Sequence, residues 1–306
     1  MKKISLEQSN LILAVSAEGN TKLPPAALEK DIHLTDLLNQ LFGVFNSEYT
    51  LIFCGGTSLS KCHGAIQRMS EDLDFKILQL SSSCPLMKKS ALSDLKLRIQ
   101  NALVELDFKV LTSGADNSNR HFWFDLAYNG TFDVVASLRD SVKIEFTVAN
   151  VFHEPVELPI QTLLYAILGL KESNSVVRCL SLEQTIAEKV LAFLRKSIDV
   201  LNDDERIVRH VYDVHKLQFL NINLDEVSKC FQHAYLEDLE RYPKMAKINS
   251  LDFITYSLDR IEKECDFENE FKKFVLDLTY GDEADYKTNM GGYLRMAHEI
   301  RQRLVP

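Results

Sequence analysis

The chain lacks most of the features that would tie it to a structural metal, a secretory route or a membrane. Its six cysteines, Cys54, Cys62, Cys84, Cys179, Cys230 and Cys265, form no Cys-x-x-Cys pair and have no histidines at matching spacing. Zinc is therefore not expected, and the thiols read as reduced and mostly buried. His63 beside Cys62 is read as packing. The basic opening Met1-Lys2-Lys3 runs into Glu7, Gln8 and Asn10, and only Leu11 to Val15 are continuously apolar there. That is too short for a signal peptide or a membrane span, so a cytoplasmic protein with no membrane partner is expected. A basic excess is missing too. The net charge of −9 argues against a broadly basic nucleic-acid-binding surface, so any RNA would have to meet a local patch. No internal repeat is evident. What remains is a 306-residue chain, 46% hydrophobic and 26% charged, able to bury a full core in two domains or one large one.

One segment carries most of the functional information. The apolar run Leu51 to Cys54 ends in Gly55-Gly56, and Thr57-Ser58 open a stretch of helical character through Ile66. The pattern is strand, glycine turn, helix, in which glycines allow close approach of the backbone and unpaired N–H groups suit phosphate oxygens. Downstream, Asp72-Leu73-Asp74-Phe75-Lys76-Ile77 alternates polar and apolar residues. A strand with that alternation puts Asp72 and Asp74 on the same face. Two carboxylates so close repel unless a cation lies between them, and hard oxygen ligands suit Mg²⁺. An isolated Asp-x-Asp would read as the exposed face of an edge strand beside an ordinary turn. Coupled to the glycine turn, it reads as a clamp for one or two magnesium ions and a nucleoside triphosphate (NTP), with Mn²⁺ as the substitute ion.

Around this segment, Pro24-Pro25 opens a helix with apolar Leu28, Ile32, Leu38, Leu41, Phe42 and Phe45 at helical spacing. Ser81 to Pro85 reads as a loop and Leu86 to Leu106 as a helix. Strand-like runs follow at Lys109 to Leu111, His121 to Ala127 and Val142 to Val148, with a polar turn from Ala115 to Arg120. After about Val176 the pattern is almost continuously helical, over Leu182–Lys196, Asp204–Phe219, Leu224–Ala234, Ser250–Leu278 with breaks, and Tyr293–Leu304. The expectation is an α/β (α+β) core over residues 1–175 with a mixed sheet, followed by a helical domain over 176–306.

Gly55-Gly56-Thr57-Ser58-Leu59-Ser60-Lys61, followed by Arg68-x-Ser70-Glu71-Asp72-x-Asp74-Phe75, resembles the AbiEii/AbiGii-type abortive-infection toxins. These are nucleotidyltransferases related to the DNA polymerase beta-like fold. Glu29-Lys30-Asp31, Glu188-Lys189 with Arg195, and Arg209-x-x-Tyr212-Asp213 resemble further segments of that family, so the likeness runs from about Leu28 to about Leu217. His210 departs from it, standing where the family usually has an aspartate. The resemblance implies a magnesium-dependent enzyme in which Asp72 and Asp74 hold the metal. Gly55, Gly56, Thr57, Ser58, Lys61, Arg68 and Ser70 would bind the nucleotide. The helical domain would contribute Lys189 and Asp213 to the cleft. It also implies a third carboxylate on a neighbouring strand, with Glu145 as the candidate and Asp133, next to the Asn129-Gly130 turn, as the alternative. RNA, for instance the 3′ end of tRNA, would be the acceptor, and an antitoxin the partner.

Plain readings stand beside these. Lys189 borders the apolar side of its helix, where a surface lysine is common. Asp213 lies four residues after Arg209 and three before Lys216, the spacing of a solvated ion-pair row. Glu188 and Arg195 share a polar helix side and could pair. Ser70, two residues before Asp72, is a phosphate contact or a modification site whose phosphorylation would repel the triphosphate. Two other functions stay open: nucleotidyl transfer to a small molecule or a protein side chain, and a non-catalytic interaction module built on the helical half.

Overall fold

The computed structural model describes residues 1–42, 49–79, 89–135, 138–170, 175–198, 205–241, 248–281 and 284–305. The chain forms two compact units, one of Met1–Gly64, Met69–Asn150 and Pro155–Cys179, the other of Ala65–Arg68, Val151–Glu154 and Leu180–Pro306.

The first unit is built on a mixed sheet of β1 (Tyr49–Cys54), β2 (Asp72–Gln79), β3 (Lys109–Asp116), β4 (His121–Ala127), β5 (Val142–Val148), β6 (Val156–Pro159) and β7 (Val176–Cys179), in the spatial order β3-β4-β5-β2-β1-β7-β6. β2 is antiparallel to β1 and parallel to β5, and β1 is parallel to β7. Its helices are α1 (Leu6–Ala17), α2 (Pro25–Leu41), α3 (Gly55–Lys61), α4 (Lys89–Glu105) and α5 (Leu163–Ile167).

Alternation in β2, β4 and β5 sends Leu73, Phe75, Phe122, Phe124, Ile144 and Phe146 into a core shared with Leu34, Leu38 and Leu41 of α2 and Leu92, Leu95 and Ile99 of α4. Across four strands the register aligns Phe53, Phe75, Phe146 and Phe122 in one row. Successive rings lie 5.4, 5.2 and 5.0 Å apart. Each such contact contributes about 0.5–1.5 kcal/mol beyond burial. A slip of one residue would turn a ring into water and a carboxylate into the core, so this row fixes the alignment of the polar row beside it.

Charge is also used inside. Helix α2 opens with Pro25 at its first position, as the fixed φ of proline favours, and buries Glu29, Lys30 and Asp31. Glu29 accepts from the backbone N–H of Thr131 (2.7 Å) and Phe132 (3.0 Å). Lys30 Nζ donates to Glu71 Oε2 at 2.7 Å and to the Arg139 carbonyl at 2.9 Å. Asp31 pairs with Lys61 Nζ at 2.6 Å and accepts from Leu163 N–H at 2.7 Å. Three consecutive charges thus tie one helix to four other segments.

His33 on the same helix is fully buried, with both ring nitrogens lacking a hydrogen bond. Burial, opposed by Asp36 and aided by Lys2, lowers its pKa to about 4, so the folded protein keeps it neutral while the unfolded chain protonates it from about 6.5 downward. Its contribution to stability is lost as pH falls through that window, by about 3 kcal/mol in all. Denaturation of wild type and His33→Phe near pH 7 and near pH 4 is expected to show the wild type losing that much more than the variant.

The second unit contains α6 (Leu182–Ile198), α7 (Arg209–Leu217), α8 (Leu224–Arg241), α9 (Ser250–Glu264), α10 (Glu268–Phe274) and α11 (Tyr286–Arg303). At its centre Tyr293 of α11 donates its hydroxyl to the Val190 carbonyl (2.9 Å) and sets its ring edge-on to Phe193. No described helix is long and apolar enough to cross a membrane.

Several elements differ from the sequence expectation. Helix α3 stops at Lys61 rather than Ile66, and Gly64 follows in the left-handed region (φ +58°). β3 runs on to Asp116, and the Asp204–Phe219 segment is a 3₁₀ turn over Glu205–Val208 followed by α7. The loop expected at Ser81–Pro85, Leu86 and Phe45 lie outside the described residues.

Candidate active site

In the first unit the open face of the sheet carries a row of residues matched strand to strand: Cys54 on β1, Asp74 on β2, Glu145 on β5, Trp123 on β4 and Gly114 on β3. The adjoining row contains Asp72, Lys143 and Asp125. Asp72 and Asp74 therefore share the face that the alternation of β2 requires. Gly55 bears directly on them. It adopts φ +76°, and a Cβ built there would lie 2.1 Å from Asp74 Oδ2, so the glycine leaves the space the carboxylate occupies. Two backbone ties hold β2 against the start of α3: Thr57 Oγ1 donates to the Asp72 carbonyl (2.5 Å), and Cys54 Sγ to the Asp74 carbonyl (3.4 Å).

The acidic groups have basic neighbours. Arg139 Nη1 donates to Asp72 Oδ1 at 3.0 Å, and the Arg139 N–H donates to Glu71 Oε2 at 2.8 Å. Lys143 forms an ion pair with Glu145, which raises the Lys143 pKa against the opposing effect of its partial burial. Among the described residues no three His, Cys, Asp or Glu side chains converge as a metal cage. Mg²⁺ usually keeps several waters and takes one or two protein carboxylates together with substrate phosphates, so an Asp-x-Asp pair beside a side-chain-free Gly55 fits that ion. Glu145 stands opposite Asp74 in register, whereas Asp133 is exposed in the loop after β4.

The remaining nucleotide-site candidates are enclosed. Gly56, Thr57 and Ser58 are buried. Lys61 turns its Nζ inward onto Asp31 and Thr35 Oγ1 (2.7 Å), away from any ligand on the open face. Ser70 is only 8% exposed, which leaves no room for a phosphoryl group without displacing its surroundings.

In the second unit Arg68, Lys189 and Asp213 meet. Residues Ala65–Arg68 are held there by pairing of Arg68 with Thr279 and by the Tyr280 N–H on the Gln67 carbonyl (2.9 Å). Arg68 grips Asp213 with Nε on Oδ1 and Nη2 on Oδ2, both at 2.7 Å, and Lys189 Nζ reaches Oδ2 at 2.8 Å. Burial alone would push the Asp213 pKa up. The two cations outweigh it and hold the carboxylate well below its usual range. Lys189 thus points at Asp213 instead of snorkelling to water, and Asp213 belongs to no solvated row. His210 Nδ1 lies 3.3 Å from Lys189 Nζ, and burial together with the lysine's charge keeps the imidazole neutral. With a neutral His210 the cluster retains one net positive charge, which an aspartate in its place would cancel. Glu188 accepts from Gln184 Nε2, and Arg195 pairs with Asp238 of α8.

A mixed sheet carrying Asp-x-Asp on its open face, beside a short helix opened by glycine, makes an α/β core of the kind a nucleotidyltransferase needs. The chain belongs to the family described as nucleotidyl transferase AbiEii toxin, type IV TA system, whose model matches residues 36–297. That span continues well past Leu217 and begins after Glu29-Lys30-Asp31. The fold is similar to that of MenT4, a nucleotidyltransferase toxin from Mycobacterium tuberculosis H37Rv, with a TM-score of 0.60 and 16% identity over 99% of this chain and 89% of that one. No curated protein matches the chain at a significant level.

Proposed function

We propose that the protein transfers a nucleotide from an NTP to the 3′-hydroxyl of an RNA, with the 3′ end of tRNA as the acceptor class, and that a cognate antitoxin restrains it. The observation that supports this reading is the placement of Asp72 and Asp74 together on an open sheet face, with Gly55 leaving space against Asp74. Asp72 and Asp74 are assigned to the divalent ion, Mg²⁺ or Mn²⁺, and Glu145 to the incoming hydroxyl. When bound, the ion supplies positive charge to the phosphate oxygens. The chain's own contribution is positioning and electrostatics, which supply most of the acceleration in this class of reaction. The Gly55–Ser58 turn sets how closely a triphosphate approaches. Arg139, which donates to Asp72, would be placed to meet a phosphate oxygen.

The test is transfer of label. Purified protein, radiolabelled NTPs and Mg²⁺ are incubated with total RNA or with RNA-free extract. Label at RNA 3′ ends is the expected result. Label confined to protein or to small molecules would replace RNA as the acceptor, and no transfer in either mixture would favour an interaction module.

A further inference from the structure

We propose that Trp123 is a stacking platform for a nucleobase at this active face, with His121 extending it. The inference rests on the nucleotidyl-transfer reading above and adds the means by which a base is held.

Trp123 is the single tryptophan of the chain. Its neighbours on β4, Phe122 and Phe124, are fully buried in the core, but Trp123 lies on the opposite, polar face in register with Glu145. Glu145 is in turn in register with Asp74. Two strand spacings, roughly 10 Å, therefore separate the backbone of Trp123 from that of the acidic pair. On its other side Trp123 faces Gly114 of β3. A Cβ at that position would fall 2.0 Å from Trp123 Cζ2, so the six-membered ring lies in the space that any larger residue would fill. The Gly114 carbonyl is held by Lys96 Nζ of α4 at 2.9 Å. The ring thus has a fixed floor. His121, two residues away on the same face, places its ring 5.5 Å from that of Trp123 at 31°.

A large flat aromatic surface among Glu145, Lys143 and Asp125 is poorly placed to add to the core and well placed to stack on a base, whose π-face needs no sequence-specific hydrogen bonds. Stacking also suits an acidic protein, because affinity gained this way does not depend on a basic surface. The base can come from the incoming NTP or from the acceptor strand. The competing explanation is structural: an aromatic ring covering a cross-strand glycine stabilises the sheet without touching any ligand.

The sole tryptophan makes the experiment direct. Trp123 emission of the full-length protein is followed while adding either each NTP with Mg²⁺ or a short single-stranded RNA with a free 3′-hydroxyl. Saturable quenching is expected in at least one arm, and the arm identifies the source of the base. For that substrate Trp123→Ala is expected to raise KM roughly ten- to hundred-fold while changing kcat only a few-fold, and Trp123→Phe to restore most of the loss. Two results would overturn the proposal. One is emission unchanged in both arms. The other is Trp123→Ala with a lowered melting temperature and both KM values intact, as a purely structural ring would give. The titration reads binding on the wild type, so it decides the platform even if Trp123→Ala does not fold. A wild type that binds in the titration yet transfers no nucleotide would count against the transfer reading alone.

Discussion

Replacing both Asp72 and Asp74 by alanine is expected to leave the melting temperature within a few degrees of wild type and to reduce nucleotidyl transfer by at least about 10³-fold. The two effects separate because β2 is held by other groups. Thr57 and Cys54 bond the main-chain carbonyls of Asp72 and Asp74, not their carboxylates, and the core row through Phe75 is untouched. Among the carboxylate contacts that disappear is the Asp72–Arg139 pair, with side chains 19% and 30% exposed, worth about 0–1 kcal/mol. A companion variant, Gly55→Ala, keeps both acids but drives a methyl group into Asp74 Oδ2. Misplacing one carboxylate by about an ångström is expected to lower kcat/KM roughly 10²-fold. Thermal melts with steady-state rates on labelled NTP read both. A double variant as active as wild type would remove Asp72 and Asp74 from the chemistry.

The parts of this molecule legible in its sequence are those governed by local periodicity. β4 and β5 occupy the expected residues because each has one apolar and one polar face over seven positions. β6 and β7 have four residues each, too few for alternation to stand out, and they went unanticipated along with α5. Helix α11 begins at Tyr286 rather than Tyr293, because Gly291-Gly292 lies inside it. There Gly292 serves close packing: a Cβ would meet His215 Nδ1 of α7 at 2.1 Å. Long-range partners leave no local trace. Glu71 and Arg139 reach Lys30 from 41 and 109 positions away; Lys30 and Glu71 stood out only as parts of the resembling segments, and Arg139 not at all. The Asp72–Asp74 pair was visible because two residues on one strand carry it.

Asp213 shows how costly such a hidden partnership is to break. Its near neighbours in sequence, Arg209 and Lys216, suggest a helix-surface pair, but its carboxylate is buried against Arg68, 145 positions away, and Lys189, 24 away. Asp213→Ala would leave two cations facing each other without a counter-charge, a loss of about 3–5 kcal/mol. Against a typical total stability of about 5–15 kcal/mol, the melting temperature should fall by roughly 5–8 °C. The sign of the pH dependence follows from the depressed pKa. The stabilisation is present above the unfolded carboxylate's value and is lost as pH falls through the folded one, so the gap between wild type and variant closes only in strong acid. Lys189→Ala is expected to behave differently, because Asp213 keeps both hydrogen bonds from Arg68. Stability should drop far less. Denaturation curves on the two variants test that difference. An Asp213→Ala protein melting within two or so degrees of wild type would mean that the buried triad does not form.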